Sequence, residues 1–399
     1  MKVLVLARAL SMPPTNGTAS RLAALLPRLA RRHRVAVVAE GDERALRAAG
    51  LGAEWFLEPP RRTTSSPSLL DRLDRFPGAL AGPELAGKLA GAVREFQPDV
   101  VLVANSPLMR LLAGAPAGVP IVLAEGIWAD YLADRVRTAK GARDRFLWWI
   151  AWLRWQREEI AHWRRARRLI AVSEIDAERM RSLFPAAVVD VVPNGVEVGA
   201  APSGARDDSR SGALFVGSTW YPNVDGANRL IQEIAPRVWR ELADFRFHVA
   251  GKVCSSSQLV VTTDRRIVRH GFVDDLEPLY RSAAMVVAPL RLGHGTRVKI
   301  LEAMIAGAAV VSTAKGAEGL DLVPGTHLLE AESDAAFADA IVRLARDPAL
   351  ASRLAAAGNA HVRATYGWDA IAERLVESLV RACSNPADVT GAAAAGVGR

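Results

Sequence analysis

Cysteine is scarce in this chain, and long apolar runs are absent from it. The 399 residues include two cysteines, Cys254 and Cys383. Two cysteines form neither a disulfide framework nor a metal cluster, so the sequence predicts a protein of a reducing cytoplasm. No apolar stretch reaches the roughly 20 residues that a membrane-spanning helix needs. The apolar run at the start is broken by Arg8, which predicts a first strand rather than a signal peptide.

Acidic residues are too few in the first half of the chain to balance its basic residues. Residues 1–200 contain 29 Lys and Arg against 21 Asp and Glu, whereas residues 201–399 contain 22 of each. A basic half can face nucleic acid, anionic lipid or an acidic acceptor. The alternative is that an arginine-rich and alanine-rich composition reflects the base content of the genome.

A dinucleotide fingerprint is also missing. The pattern predicts a strand at Lys2–Ala7, a loop with the turn signal Asn16-Gly17, a helix at Arg21–Arg32 and a strand at Arg34–Ala39. This order predicts a Rossmann-like first unit. Because the loop lacks a G-x-G-x-x-G pattern, the sequence argues against a nicotinamide cofactor.

The most informative segment lies between residues 285 and 320. Its pattern predicts a strand at Met285–Leu290, a loop around Gly293 and Gly295, a helix at Arg297–Ala306 with Thr296 as its N-cap, and a strand at Ala308–Ser312. A strand, glycine loop, helix and strand in this order is typical of a site that holds a phosphate at a helix N-terminus.

Two cations, Arg297 and Lys299, lie in the first turn of that predicted helix. The helix dipole disfavours positive charge there by up to about 1 kcal/mol, so their position indicates a bound anion. Glu302 lies one turn further along the same face, where its carboxylate can accept hydrogen bonds from sugar or ribose hydroxyls. The alternative is that both cations are solvated and that Glu302 is a surface ion-pair partner.

The same segment resembles the donor-binding signature of the family 4 glycosyltransferases, which have the α/β GT-B fold of two facing Rossmann-like domains with a cleft between them. In that family two glutamates separated by seven residues precede a G-x-P-V-V-x-T-like strand. Glu302 matches the second glutamate, and Gly307–Thr313 matches the strand. His294 stands where the first glutamate is expected, so the sequence is similar to a bacterial exopolysaccharide-associated subgroup with the motif G-T-R-x-K-x-L-E-A.

The resemblance implies a nucleotide-diphosphate sugar as donor, no cofactor and no bound metal. The family commonly has an arginine at the position of Ser218 and a lysine near Asn223, so binding of the diphosphate depends more on Arg297 and Lys299 here. Lys252 is a further candidate cation or a surface residue. The implied catalytic residues are Arg297, Lys299 and His294, and the implied donor-binding residues are Gly293, Gly295, Thr296, Glu302, Val273, Glu318 and Gly17.

The resemblance also implies the domain boundaries, because Pro193-Asn194-Gly195-Val196 resembles the exit to the second domain. The expected divisions are an N-terminal Rossmann-like acceptor domain at 1–196, a nucleotide-sugar-binding Rossmann-like domain at 197–368, a closing helix at 369–383 that returns to the first domain, and a disordered tail at 384–399.

Glu125 and Asp130 are candidate groups on the acceptor side. Both follow the predicted strand Pro120–Ala124, and ligands of open parallel sheets gather at the carboxyl ends of strands. The alternative is that these two carboxylates cap loops or helix starts.

The segment Phe146–Arg168 contains five of the chain's ten tryptophans and ends in a cluster of arginines at 164–168. Tryptophan beside arginine is typical of a helix at a membrane interface, which here would rest on an anionic membrane. The alternative is that these tryptophans, which recur at helical spacing, pack in the core of the first domain.

The sequence therefore predicts a cytoplasmic retaining glycosyltransferase, peripheral on the inner face of the cell membrane, with a lipid-linked or polysaccharide-building acceptor and no nucleic-acid partner. Two alternatives stay open. One is another GT-B enzyme, either a sugar phosphorylase or a nucleotide-sugar 2-epimerase. The other is a non-catalytic relative that binds sugar or acts as a scaffold, which the loss of the first glutamate and of the arginine at the Ser218 position would favour.

Overall fold

The computed structural model describes residues 1–12, 14, 17–59, 83–114, 119–124, 126–139, 141–199, 210–293 and 295–384. The chain divides into two compact units: the first runs from Met1 to Pro193 and resumes at Trp368, and the second runs from Asn194 to Gly367. Each unit is a parallel sheet with helices on both faces, so the prediction of two Rossmann-like domains is confirmed. The predicted tail lies outside the described residues, except for Ser384.

The first unit is built on a parallel sheet whose strands, in the described residues, follow the order β3-β2-β1-β4-β5-β6-β7. The strands are β1 (Lys2–Leu10), β2 (Arg34–Gly41), β3 (Glu54–Glu58), β4 (Val100–Val103), β5 (Ile121–Ala124), β6 (Arg168–Ala171) and β7 (Val189–Val191). Successive residues of β1 enter opposite cores, with Val3 and Val5 on one face and Leu4 and Leu6 on the other. Because helices cover both faces, the strands are almost continuously apolar.

Helices form one layer on each face of this sheet. They are α1 (Gly17–Ala30), α2 (Glu43–Ala48), α3 (Pro83–Phe96), α4 (Trp128–Thr138), α5 (Ala142–Trp163), α6 (Glu174–Leu183) and the closing helix (Trp368–Ser384), with a 3-10 helix at Ser106–Gly114. Helix α1 begins four residues earlier than predicted, because Ala19 and Leu22 already belong to its buried stripe. Among the described helices, none combines the length and the apolar character needed to cross a bilayer.

The closing helix belongs to the first unit, where its apolar face joins α1 over the Val3 and Val5 side of the sheet. Asp190 on β7 holds it by polar contacts. The Asp190 carboxylate accepts hydrogen bonds from Ser378 Oγ at 2.6 Å, from Arg168 at 3.0 Å and from Arg381 at 3.2 Å. A second ion pair joins Arg28 to Asp369 at 3.0 Å.

The tryptophans of α5 face mainly inward. Trp155 and Trp163 are buried in the core, and Trp148 and Trp152 are partly buried against it. Trp148, Trp152 and Trp155, which share one helical face, therefore pack inward, as the core alternative predicts, and this face lies mainly against α4 and the 3-10 helix. Trp149 is 43% exposed and lies on the outer face.

The second unit is built on a parallel sheet with the order β10-β9-β8-β11-β12-β13 in the described residues. Its strands are β8 (Ser211–Val216), β9 (Phe247–Ala250), β10 (Ile267–Gly271), β11 (Ala283–Ala288), β12 (Ala309–Ser312) and β13 (Leu329–Glu330). Its helices are α7 (Tyr221–Arg229), α8 (Ala235–Glu241), α9 (Glu277–Ser282), α10 (Val298–Ile305), α11 (Ala314–Ala317), α12 (Asp334–Arg346) and α13 (Pro348–Thr365), with a π-helical turn at Leu230–Ile234 and a 3-10 helix at Lys252–Ser255.

The sequence predicts a helix at Pro348–Gly358, whereas α13 continues past Gly358 to Thr365. Gly358 lies against Met304 of α10, and a Cβ at this position would come within 3.1 Å of the Met304 sulfur. This glycine therefore permits the close approach of two helices instead of ending one of them.

Candidate donor site at the carboxyl edge of the second sheet

The loops that carry most of the predicted site residues open at one edge of the second sheet. All neighbouring strands of this sheet pair in parallel, so the loops that follow β8 to β12 lie at its carboxyl edge. That edge is where open α/β sheets bind ligands. The loops carry Ser218, Lys252, Val273, the segment Gly293–Lys299 and Glu318. His294 lies outside the described residues.

Two glycines give the loop after β11 its path. Gly293 has φ +104° and Gly295 has φ +76°, both in the region that favours glycine. A Cβ at Gly293 would lie 3.0 Å from Arg297 Nη2 and 3.1 Å from Pro222 Cγ. The loop therefore brings its backbone close to the start of α10.

The start of α10 differs from the predicted one. The helix begins at Val298 with Arg297 at the N-cap position, and no side chain caps it. Thr296 was expected to be the N-cap, but its hydroxyl oxygen instead accepts a hydrogen bond from Asn194 Nδ2 at 2.9 Å. The first N–H groups of α10 thus lack a side-chain cap, which is the arrangement that binds an anion at a helix N-terminus.

Arg297 braces the glycine loop. Its guanidinium donates to the carbonyl oxygen of Gly295 at 2.5 Å and to that of Leu292 at 3.5 Å. The predicted role of Arg297 as a cation for the diphosphate stays a prediction. These contacts place the charge of Arg297 at the loop. They also give Arg297 a structural role, because they hold the loop beside the start of α10.

Lys299 is enclosed by side chains of β8 and α7. Its Nζ donates to Asn223 Oδ1 at 2.6 Å and lies 4.9 Å from the centre of the Phe215 ring. Asn223 Nδ2 in turn donates to Ser218 Oγ at 3.0 Å. Ser218 and Asn223 stand where the family has cations, and here they hold a lysine supplied by α10. Burial, assisted by the charge of Arg297, lowers the pKa of Lys299 to about 7.

Glu302 lies one turn after Lys299 and accepts a hydrogen bond from the Tyr280 hydroxyl at 2.8 Å. Burial raises the pKa of Glu302, while the Tyr280 hydroxyl and the Lys299 charge oppose that rise. Burial also raises the pKa of Tyr280 well above its usual value. Glu302 is therefore no surface ion-pair partner. Tyr280 was missed by sequence reasoning, because a tyrosine in an apolar stretch gives no signal of its hydroxyl's partner.

The remaining predicted donor residues of this edge lie in three further loops. Glu318 follows α11 and pairs with Lys315, whose Nζ lies 2.8 Å from both carboxylate oxygens. Val273 follows β10 beside Phe272, which is 60% exposed. Lys252 Nζ lies 5.3 Å from the centre of the Phe272 ring, so a cation and an aromatic face are side by side at this end of the edge.

The other candidates belong to the first unit. Gly17 is the first residue of α1. Asp130 on α4 forms a two-point ion pair with Arg179 on α6, at 3.1 and 3.2 Å, which supports the structural alternative for this carboxylate. Glu125 lies outside the described residues. Within the described part of the chain, no group of three or more His, Cys, Asp or Glu could hold a metal ion.

Comparison with known proteins supports the predicted family and fold. Residues 15–199 match the family model described as Glycosyltransferase Family 4, and residues 210–347 match the one described as Glycosyl transferases group 1. A phosphatidyl-myo-inositol mannosyltransferase of Mycobacterium tuberculosis is 30% identical over 223 residues, which are 52% of this chain and 57% of that protein. The chain thus spans little more than half the length of the curated relatives it matches.

Solved structures share the fold. Anabaena HepE, crystallised with UDP and glucose, superimposes with a TM-score of 0.68 at 15% identity, over 95% of this chain and 99% of HepE. Sucrose-phosphate synthase from Thermosynechococcus elongatus gives the same TM-score and identity, over 95% of this chain and 98% of that one. At this level of identity the likeness shows the fold alone.

Proposed function

Because this chain belongs to glycosyltransferase family 4 and has its GT-B fold, we propose that it transfers a sugar from a nucleotide-diphosphate sugar, with retention of configuration and without a bound metal. The observation that carries the proposal is the succession along α10 of an uncapped N-terminus, Lys299 and Glu302. A diphosphate requires N–H donors and positive charge, and a ribose requires a hydrogen-bond acceptor. One helix presents all three.

The reaction needs stabilisation of the leaving diphosphate, on which negative charge develops as the bond to the sugar breaks. Preorganised donors supply this without reorganising during the reaction. The first N–H groups of α10 and the Lys299 ammonium would act in this way, with Asn223 fixing the ammonium and Arg297 fixing the loop. No nucleophilic serine or cysteine is required.

Glu302 would bind the ribose. Its Oε2 is occupied by Tyr280, whereas its Oε1 makes no hydrogen bond within the described part of the chain. A carboxylate held at one oxygen keeps its second oxygen in a fixed direction for a ligand hydroxyl. Exposed Phe272 and the neighbouring Val273 backbone would lie against the nucleotide base.

The acceptor is proposed to be lipid-linked or part of a growing polysaccharide. Support comes from the name of the M. tuberculosis relative, which identifies a lipid, phosphatidyl-myo-inositol, as its acceptor. HepE, which shares the fold, was crystallised with UDP and glucose, and this makes UDP-sugars one class of donor to test. Neither relative identifies the sugar or the base that this chain uses.

The test is a screen of UDP-sugars and GDP-sugars for nucleotide release, with and without a membrane-lipid extract as acceptor. We expect release from one donor class to depend on the extract and to fall about 10²-fold in Lys299→Ala, the scale of losing one charge-stabilising donor. Lys88→Ala, an exposed lysine on α3, is the matched control. Nucleotide binding without release would contradict the enzyme and support a sugar-binding relative. Nucleotide release that requires inorganic phosphate would indicate a phosphorylase. Conversion of the donor in the absence of an acceptor would indicate an epimerase.

We further propose that the first unit contacts an anionic membrane through one face of α5. Phe146, Trp149 and Leu153 are 57%, 43% and 38% exposed and recur at the spacing of one helical face. The rings of Phe146 and Trp149 stack with centres 6.1 Å apart. Exposed Arg143 and Arg157 lie on the same helix, which supports attraction to an anionic leaflet.

Co-sedimentation with vesicles of phosphatidylglycerol or of phosphatidylcholine alone tests this contact. We expect binding to the anionic vesicles, weakening with salt, and its loss in the double variant Phe146→Ser and Trp149→Ser. Trp220→Ser is the matched control, because Trp220 is 41% exposed and lies in the second unit. Equal binding by the double variant and the control would rule out this face.

A further inference from the structure

A small basic cavity lies at the amino ends of β5, β6 and β7 in the first unit. It is defined by Ile121, Trp163, Arg164, Arg165, Arg167 and Phe184, which we call the arginine pocket, and it has a volume of about 200 Å³. Ligands of parallel sheets gather at the carboxyl ends, so this pocket at the opposite edge of the strands is separate from the proposed acceptor region.

The walls of the pocket carry positive charge without any acidic residue. Three of the residues that line it are arginines, and none is Asp or Glu. Among the described residues, no carboxylate forms an ion pair with Arg164, Arg165 or Arg167. The C-terminus of α5, where Arg164 is the C-cap, offers about half a negative charge. That is too little to balance three guanidinium groups.

One guanidinium has an unmet hydrogen-bond donor. Arg167 Nη2 is buried and has no hydrogen-bond partner among the described residues, whereas Arg165 already donates from Nη1 to the carbonyl oxygen of Met109 at 2.9 Å. A buried donor without an acceptor destabilises the folded protein. Because this Nη2 is fully buried, a ligand oxygen in the cavity reaches it only after the Arg167 side chain turns toward the cavity.

The remaining walls are apolar. Trp163 is buried to 2% exposure, and Ile121 and Phe184 are partly exposed. Guanidinium groups match the oxygens of a phosphate in pairs, while the apolar walls suit an uncharged group attached to it. Typical small-molecule sites begin at about 300 Å³, so this cavity is too small to enclose a nucleotide.

We propose that the arginine pocket binds a phosphate ester no larger than a lipid headgroup. It is a second anion site, and it does not depend on the proposed transfer reaction. The ester can come from a membrane lipid or from a soluble phosphate, because the chemistry that the pocket recognises is the same. Bound there, the ligand would accept hydrogen bonds from Arg164 and Arg167.

The probes are dihexanoyl phosphatidate below its micelle concentration and inorganic phosphate, titrated at constant ionic strength. Binding is followed by calorimetry. We expect phosphatidate to bind and its affinity to fall about tenfold or more in Arg164→Ala and in Arg167→Gln, because each variant removes a charge-assisted contact. Arg94→Ala on α3, which removes an exposed arginine outside the pocket and outside the proposed membrane contact, is the matched control, and its affinity should stay within about twofold of the original.

Arg164 is exposed, so its variant should fold even where Arg167→Gln does not, and circular dichroism checks both. Phosphatidate binding tenfold tighter than phosphate would assign the site to a lipid, and equal affinities would assign it to a soluble phosphate. Absence of binding by both probes, or an equal loss in Arg94→Ala, would overturn the proposal. Nucleotide affinity should not change in any of these variants, which separates this result from the fate of the donor site.

Discussion

The lowered pKa of Lys299 leads us to predict how nucleotide binding depends on pH. In the ligand-free protein, burial lowers this pKa to about 7, so the ammonium is present at mildly acidic pH and lost at alkaline pH. A diphosphate favours the charged form. Between pH 6.5 and pH 8.5 the charged fraction falls from about three quarters to about 3%, so we expect affinity for the nucleotide diphosphate to fall about 25-fold, or about 1.9 kcal/mol.

Proton linkage supplies an independent measurement. At pH 8.5 binding should take up about one proton, because the ligand restores the charge of Lys299. Calorimetric titration in two buffers with different ionisation enthalpies measures this uptake directly. The stability of the ligand-free protein depends on pH in the opposite direction to the affinity for the nucleotide. Between pH 7 and the unfolded pKa of about 10.5, the unfolded chain binds more protons than the native one, so the free energy of unfolding should rise with pH.

Lys299→Arg is the matched variant, since a guanidinium stays charged across this range. It should bind with an affinity that changes only as the ionisation of the diphosphate itself changes. The difference in slope between the original chain and this variant therefore isolates Lys299. Equal slopes, or no proton uptake at pH 8.5, would refute the assignment of Lys299 to the diphosphate.

Three further predictions concern the donor edge and the closing helix. Glu302→Ala should weaken nucleotide binding about tenfold or more, since hydrogen bonds to a charged group contribute about 1.5–3 kcal/mol. Tyr280→Phe should weaken it less. Calorimetry with UDP and GDP measures both effects, and unchanged affinity for both nucleotides would contradict the prediction. Arg297→Ala should lower turnover about 10²-fold. If the steady-state rate falls less than threefold while the fold stays intact, Arg297 only stabilises the loop. Asp190→Ala should lower the free energy of unfolding by about 2–4 kcal/mol and Ser378→Ala by about 1 kcal/mol, both measured by urea denaturation. Equal stability of the original chain and the two variants would show that these contacts do not hold the closing helix.

Local signals were enough to predict the helices that have strong caps. The sequence predicts helices at Glu174–Leu183 and Asp334–Arg346, and α6 and α12 have these bounds. Each starts after a serine, Ser173 or Ser333, whose hydroxyl oxygen accepts a hydrogen bond from an N–H of the first turn. The capping interaction spans three residues, so the sequence itself contains it.

Contacts between distant residues could not be predicted in this way. Thr296 was a reasonable N-cap from its position, but Asn194, 102 residues away, occupies its hydroxyl. Tyr280 reaches Glu302 across 22 residues. Periodicity identified the tryptophan-rich helix but not its inner face, because Trp148 and Trp149 both fit an apolar stripe. Only the packing against the neighbouring helix α4 decides between them.

The return of the closing helix to the first unit has a consequence for biosynthesis. A ribosome makes Ile371, Leu375 and Leu379, which complete the core around β1, only after the entire stretch from Asn194 to Gly367. At about 5–20 residues per second, translating that stretch takes roughly 10–35 s. During this interval the leucines of α1 remain partly uncovered on the nascent chain. The second unit, which is continuous in sequence, should therefore fold first, and the incomplete first unit is the part that chaperones would have to shield.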